Sequence, residues 1–370
     1  MKSNTLVPRP DDLPALAPDR LAAQAAEAVR ELLAEAAAAN TTRSYASALR
    51  YWAAWFQGRF GQPIALPVPE PAVVQFVVDH LARRGKTGLA WELPPALDAQ
   101  LVAAGLKQKP GAFKLSTVVH RVAVLSAAHQ AHKAANPCES PAVRQLLKRG
   151  RRASVKRGER PHKKTAITRP ELEALLATCD GSLEGLRDAA LLLFGFASGG
   201  RRRSEIAAAD WQDLRRVGDG AFVYRLEHSK TQQAGPSASA TPDKPVLGRA
   251  GAALDARLRA ASITEGPLFR RLWGARVGSG LSPKSVAAIV QRRAFLAGLN
   301  GDFAGHSLRS GFITEGGRQG IALPALMALT EHRSVAQAIG YFQAGEATHN
   351  PAATLLEGAP TPPTPASPQP

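Results

Sequence analysis

The chain has 370 residues, with 47 Lys and Arg against 30 Asp and Glu, a formal charge of +17 and 45% hydrophobic residues. That length exceeds the roughly 250–300 residues at which single cores stop growing, so two domains are expected, and the hydrophobic share excludes wholesale disorder. No apolar stretch approaches the ~20 residues that cross a bilayer. Cys138 and Cys179 are too few for a disulfide framework and too far apart for a zinc knuckle, so both read as reduced thiols.

The basic excess selects a polyphosphate partner, and the lack of a charged start followed by an apolar run leaves a cytoplasmic, nucleoid-associated protein with no membrane contact as the expectation. Residues 1–19 are rich in Pro and Asp and read as a flexible lead-in. Residues 21–39 are strong helix formers, and Asn40 or Thr41 caps a second helix. There Tyr45, Leu49, Trp52 and Phe56 follow at steps of four, three and four and form one expected core face, with Arg43 and Arg50 outward. Pro71 opens a third helix bearing Val74, Phe76, Val77 and Leu81. A fourth starts near Ser116, runs through Val119, Val122, Leu125 and Ala128, and stops before Asn136-Pro137. Residues 141–147 read as a short closing helix. The span 20–148 is therefore an expected all-α DNA-binding domain. His129 and His132, three apart on a helix with no third ligand near, read as packing rather than metal ligands.

Between Lys148 and Lys164 stand Lys148, Arg149, Arg151, Arg152, Lys156, Arg157, Arg160, Lys163 and Lys164, opposed only by Glu159. Gly150, Gly158 and Pro161 interrupt the run, so residues 149–165 are expected to be an extended linker laid along DNA phosphates. The pattern then changes to a second domain over 166–350. Thr168-Arg169-Pro170 leads a helix, residues 183–196 form another, and alternation over 221–227 suits a strand. Helices are expected around 251–261, 282–297, 307–319, 323–329 and 335–341, giving a mainly α class with a small β-sheet. The tail over 351–370 is proline-rich and reads as disordered or polyproline-like.

Four stretches of the second domain hold the groups that phosphoryl transfer to a protein nucleophile needs. In Gly200-Arg201-Arg202-Arg203-Ser204-Glu205, a guanidinium fork suits two phosphate oxygens and Glu205 lies over the same helical face to orient it. Lys230, past the expected strand, is placed to protonate a leaving oxygen. In His306-Ser307-Leu308-Arg309 a three-residue step sets imidazole and guanidinium on one face of a helix start, where an anion is favoured. His332-Arg333-Ser334 is followed by Tyr341, a phenol that needs nearby cations or a base to act as a nucleophile.

In this order, Arg202, Lys230, His306-x-x-Arg309, His332 and Tyr341, the sequence resembles the tyrosine recombinase, or phage integrase, family in its two-domain form. The match of Arg202-Arg203-Ser204-Glu205 to the family's Arg-x-Ser-Glu singles out Arg202 among its neighbours. The resemblance spans 168–341 strongly and the helical first domain more loosely. It implies a helical DNA-binding domain and an α+β catalytic domain forming a C-shaped clamp on double-stranded DNA. It also implies attack by Tyr341 on a backbone phosphorus to give a 3′-phosphotyrosyl bond, without metal, ATP or other cofactor. Arg202 and Arg309 would clamp the phosphate, Lys230 would supply a proton, His306 would take one, and His332 would hydrogen-bond the transition state. Exchange on paired sites implies a homotetramer, and the high like charge implies a largely monomeric free protein. A relaxing enzyme of type IB topoisomerase chemistry and a non-catalytic DNA binder of the same fold remain alternatives. One departure is Glu331, where the family usually has glycine, since a carboxylate is electrostatically unwelcome beside a phosphate site.

Overall fold

The computed structural model describes residues 39–86, 88–159, 164–226, 242–332 and 334–346, and the chain divides into two units, Met1–Pro161 and His162–Pro370. The helix expected over 21–39, the candidate Lys230 and the proline-rich tail lie outside the described residues.

The first unit is built on α1 (Ala39–Phe60), and its core face differs from the expected one. Ala48, Tyr51, Trp52, Trp55 and Phe56 are buried, whereas Tyr45 and Leu49 are 39% and 38% exposed. Both stripes have helical spacing, and the aromatic side chains at 51 and 55 decide which one turns inward because they remove the most apolar surface from water. Trp52 packs flat on Phe76, and the Trp55 indole N–H donates to the buried Asp79 carboxylate at 2.9 Å. Phe76 and Asp79 stand on α2 (Glu70–His80), which opens with Pro71 as anticipated.

A hairpin of β1 (Arg83–Gly85) and β2 (Gly88–Ala90) and a helix α3 (Pro95–Ala103) add to the helical reading of this unit; both are too short to carry a readable period. Next come α4 (Leu115–Ala131) and α5 (Pro141–Lys156). Here the expectation of an extended linker from 149 is overturned, because α5 continues through Gly150 to Lys156. Gly150 does not break it: Leu81 stands where a side chain would be, with 2.7 Å between them. Val143 and Ser154 face inward, and the helix closes with hydrogen bonds from Gly158 N to Val155 O and Glu159 N to Ser154 O.

Within this unit His80 is buried, its Nδ1 donating to Phe76 O and its Nε2 accepting from the Tyr51 hydroxyl, both at 2.7 Å. Burial pushes its pKa down to about 3. The unfolded chain takes up this proton near the ordinary histidine value and the folded chain does not. Stability is therefore full above pH ~6.5 and falls as pH drops towards about 3, by about 1.4 kcal/mol per pH unit. Thermal unfolding across this range should lose that slope in His80→Phe, and an unchanged slope would place the pH response elsewhere.

The second unit starts with α6 (Arg169–Ala177), led by Thr168, whose backbone N–H donates to Glu171 at 2.9 Å, and with α7 (Leu183–Ala197). After the short α8 (Arg203–Ala207) comes an antiparallel sheet in the order β3 (Leu214–Gly218), β4 (Ala221–Arg225), β5 (Asp243–Val246). Next follow α9 (Gly248–Ala260) and a second hairpin of β6 (Arg270–Trp273) and β7 (Arg276–Gly280). The last four helices are α10 (Pro283–Leu296), α11 (Gly305–Arg318), α12 (Leu323–Thr330) and α13 (Val335–Glu346). The core joins Leu191 and Phe194 of α7, Phe222 of β4, Leu254 of α9, Val290 of α10 and Leu308 of α11, which seats the start of α11 against α7. No helix of the described residues is long and apolar enough to cross a membrane.

Candidate active site

The start of α11 supplies His306 and Arg309, and that helix is anchored before its first turn. Ser307 Oγ accepts from Ala304 N at 2.9 Å, and Ser307 O accepts from Ile167 N. Arg309, one turn on from His306, is 2% exposed. One of its terminal nitrogens donates to Gly200 O at 3.1 Å, and the other donates to Thr330 O and lies 3.3 Å from His332 Nδ1. A single guanidinium thus ties together the loop before α8, the end of α12 and the histidine that follows it. Gly200 makes this possible: its φ is +66°, and a Cβ there would stand 2.8 Å from the Arg309 Cα.

The three adjacent arginines separate by environment. Arg201 is fully buried and donates to Gly199 O at 3.1 Å and to Leu329 O. The Arg202 side chain is 21% exposed, held by Glu205, whose carboxylate accepts from Arg202 N at 3.0 Å and from its guanidinium at 2.5 Å. Burial alone would raise the Glu205 pKa, but Arg201 and Arg202 beside it outweigh burial and lower it. Arg203 is exposed.

On α13, Tyr341 brings its hydroxyl to 3.1 Å from His306 Nε2, and its backbone carbonyl accepts from Thr314 Oγ1 of α11 at 3.2 Å. The His306 pKa is lowered by burial first and then by Arg309 and Arg202. These effects favour the neutral imidazole, and in the tautomer protonated on Nδ1 its Nε2 can accept the Tyr341 O–H. His332 is pushed down to about 4 by burial, Arg309 and Arg202, so it is neutral near pH 7, and its Nδ1 meets Thr330 Oγ1 at 2.8 Å. Burial and the neighbouring Arg202 bring Arg309 down to about 9, which leaves it charged at neutral pH.

Of the sequence-predicted residues, the structure brings together Arg202, Glu205, His306, Arg309, His332 and Tyr341; Lys230 lies outside the described residues. The arrangement can hold a phosphate between fixed cations while a phenol, its hydroxyl within hydrogen-bond reach of a histidine, faces it. Sequence reading missed three contributors. They are Thr330, Arg201 in its buried role, and Lys244 of β5, whose Nζ stands 3.0 Å from Glu331. Only Thr330, adjacent to the His332 motif, carried any signal in the chain order.

In the first unit, Arg43 is exposed and bonded to Asn40 at 3.0 Å. Lys148, Arg149, Arg151, Arg152 and Lys156 are exposed along α5, with Lys148, Arg152 and Lys156 at steps of four and therefore on one face. Arg157 departs from the expectation of a phosphate contact: its side chain is 10% exposed and ion-paired to Glu159 at 2.7 Å. His129 is a packing residue, Nδ1 donating to Leu125 O and Nε2 accepting from Val68 N, and no cluster among the described residues suits a metal.

Residues 165–347 match the model of the phage integrase family. An integrase/recombinase XerD homologue of Selenomonas ruminantium is 36% identical over 245 residues, covering 63% of this chain and 69% of the relative. Among solved structures, the integrase of transposon Tn1549, in complex with transposon right-end DNA, is similar at a TM-score of 0.53. The two are 13% identical, over 89% of this chain and 98% of that one, a likeness of fold.

Proposed function

The chain belongs to the phage integrase family of tyrosine recombinases and is a site-specific recombinase, and from that premise we propose that Tyr341 is the nucleophile of a DNA strand exchange. The observation that carries this is the Tyr341 hydroxyl lying 3.1 Å from His306 Nε2, one helical turn from the buried Arg309. The phenolic oxygen forms a bond to the phosphorus, the bond from phosphorus to the 5′ oxygen breaks, and the phenolic proton passes to His306. Arg202 and Arg309 hold the non-bridging oxygens, and neutral His332 hydrogen-bonds the phosphate as charge develops. Lys230 delivers the proton to the leaving 5′ oxygen, a role that rests on the family resemblance. Because the phosphotyrosyl bond conserves the energy of the phosphodiester, a 5′-hydroxyl from a partner strand reverses the step.

Exchange between two duplexes cuts four strands and each chain carries one Tyr341, so four protomers assemble on paired sites, and DNA offsets their like charge. The test is recovery and sequencing of DNA covalently attached to the chain in its host, followed by a suicide duplex built on the recovered site and a strand-exchange assay on two such sites. Attachment with exchange supports the recombinase, attachment without exchange a relaxing enzyme, and neither a binder only.

The basic face of α5 follows phosphates in this reading. Neutralising Lys148, Arg149, Arg152 and Lys156 should weaken binding on all sequences alike, and the log–log salt slope should become shallower by roughly 0.9 per lost contact. Filter binding across salt concentrations measures it, and an unchanged slope would take this face off the DNA.

A further inference from the structure

Three consecutive carbonyls end α12, and a different cation holds each. Lys244 Nζ donates to Ala328 O at 3.3 Å, Arg201 donates to Leu329 O, and Arg309 donates to Thr330 O. The last carbonyls of a helix lack partners within it and favour positive charge. Here the cations come from β5, from the loop before α8 and from α11, so three parts of the second unit meet at this point. His332 stands two residues past Thr330, its Nδ1 against Thr330 Oγ1 and Arg309. The placement of its ring therefore depends on how α12 ends.

Glu331 stands between the helix and His332, with φ 56° and ψ 43°, a left-handed turn that suits glycine and strains a glutamate. Strain of this kind persists only where the surroundings over-determine it. The surroundings supply an ion pair: Glu331 Oε1 lies 3.0 Å from Lys244 Nζ, with the two side chains 6% and 0% exposed. A buried ammonium deprived of its carboxylate is strongly disfavoured, so the pair holds the turn to β5. The same pairing resolves the electrostatic objection to a carboxylate at 331, because its charge is met by a cation that stands outside the set assigned to the phosphate.

We propose that Glu331 and Lys244 are positioning residues, whose ion pair fixes the turn after α12 and thereby sets the His332 imidazole against Arg309 for DNA cleavage. This rests on the roles given above to His332 and Tyr341.

The test uses the full chain and a suicide duplex carrying the recovered site, with three readouts: adduct formation in a single turnover at saturating protein, DNA affinity and the thermal midpoint. Glu331→Gln should slow adduct formation on the order of tenfold to a hundredfold, as a displaced catalytic group does, with affinity held to within about twofold. Its midpoint should fall, because Lys244 is left buried without its carboxylate. In the double variant Glu331→Gln with Lys244→Met, the stranded charge is gone and the midpoint should return close to that of the unmodified chain. Adduct formation should stay slow, since nothing then ties the turn to β5.

A pair that matters only for stability would regain its rate together with its midpoint, so a double variant within about twofold of the unmodified rate overturns the proposal. Glu331→Gly, which relieves the turn while deleting the ion pair, covers the case of a Gln variant that does not fold; it too should be slow, and an unmodified rate overturns the proposal. An adduct formed by Tyr341→Phe, or none formed by the unmodified chain, would instead remove the catalytic assignment and this inference with it.

Discussion

Tyr341→Phe is expected to form no covalent DNA adduct while binding the recovered site with nearly unchanged affinity. The substitution removes one oxygen, and that oxygen is the one assigned to attack. The hydroxyl lies 3.1 Å from His306 Nε2, whereas phosphate affinity is assigned to Arg202, Arg309 and the basic face of α5. The backbone of residue 341 keeps its hydrogen bond from Thr314, and the phenyl ring retains the edge contact with the His306 imidazole, so α13 should stay docked. Denaturing gels of the suicide-duplex reaction measure attachment, and gel-shift titrations measure affinity. Adduct formation by the phenylalanine variant would move the nucleophile to another side chain, and lost binding would give the hydroxyl a role in DNA recognition.

Much of this site could be read from the chain because its parts are local. His306 and Arg309 share one turn of α11, Arg202 and Glu205 share one capping geometry, and each short motif specifies its own orientation once the helix is known. The order of these motifs along the chain resembles that of one family and one chemistry. What the sequence did not disclose is held by contacts distant in the chain. Lys244 meets the end of α12 across 84 residues, and no periodicity in β5 announces a buried lysine. Among the three adjacent arginines the Arg-x-Ser-Glu pattern marks Arg202, but only tertiary packing buries Arg201 against the end of α12 and leaves Arg202 partly exposed.

The fold divides in the same way. Helices with long apolar periods were legible, whereas α3 and the β1–β2 hairpin were too short to show one. The extended-linker reading fails over 149–156, where charge density and Gly150 argue against a helix. Against them, Val143 and Ser154 on the opposite side of α5 are buried and hold it in place. A basic face on an amphipathic helix and a solvated basic linker have similar compositions; the spacing of the few apolar residues distinguishes them.

Arg309→Ala and Arg202→Ala are both expected to lose DNA cleavage by ~10²–10³ in rate, the usual cost of removing one preorganised donor, but they should differ in stability. Arg309 is buried and donates to two carbonyls, Gly200 O and Thr330 O, besides facing His332. Its truncation leaves both carbonyls without that donor, at about 1–3 kcal/mol each, and frees the turn that carries His332, so the thermal midpoint should drop along with the rate. Among the described residues the Arg202 side chain donates to Glu205 alone and is partly exposed, and Glu205 retains Arg201 at 3.7 Å. Its truncation should therefore leave the midpoint near that of the unmodified chain. Arg309→Lys separates charge from shape: one ammonium cannot reach both carbonyls and the phosphate as a planar fork does, so cleavage should remain slow although the charge is kept. Arg203→Ala, an exposed neighbour, is the control and should cleave normally. Normal cleavage by Arg202→Ala with loss in Arg203→Ala would shift the phosphate clamp by one residue, and equal stability of the Arg309 and Arg202 variants would show that Arg309 does not hold the end of α12.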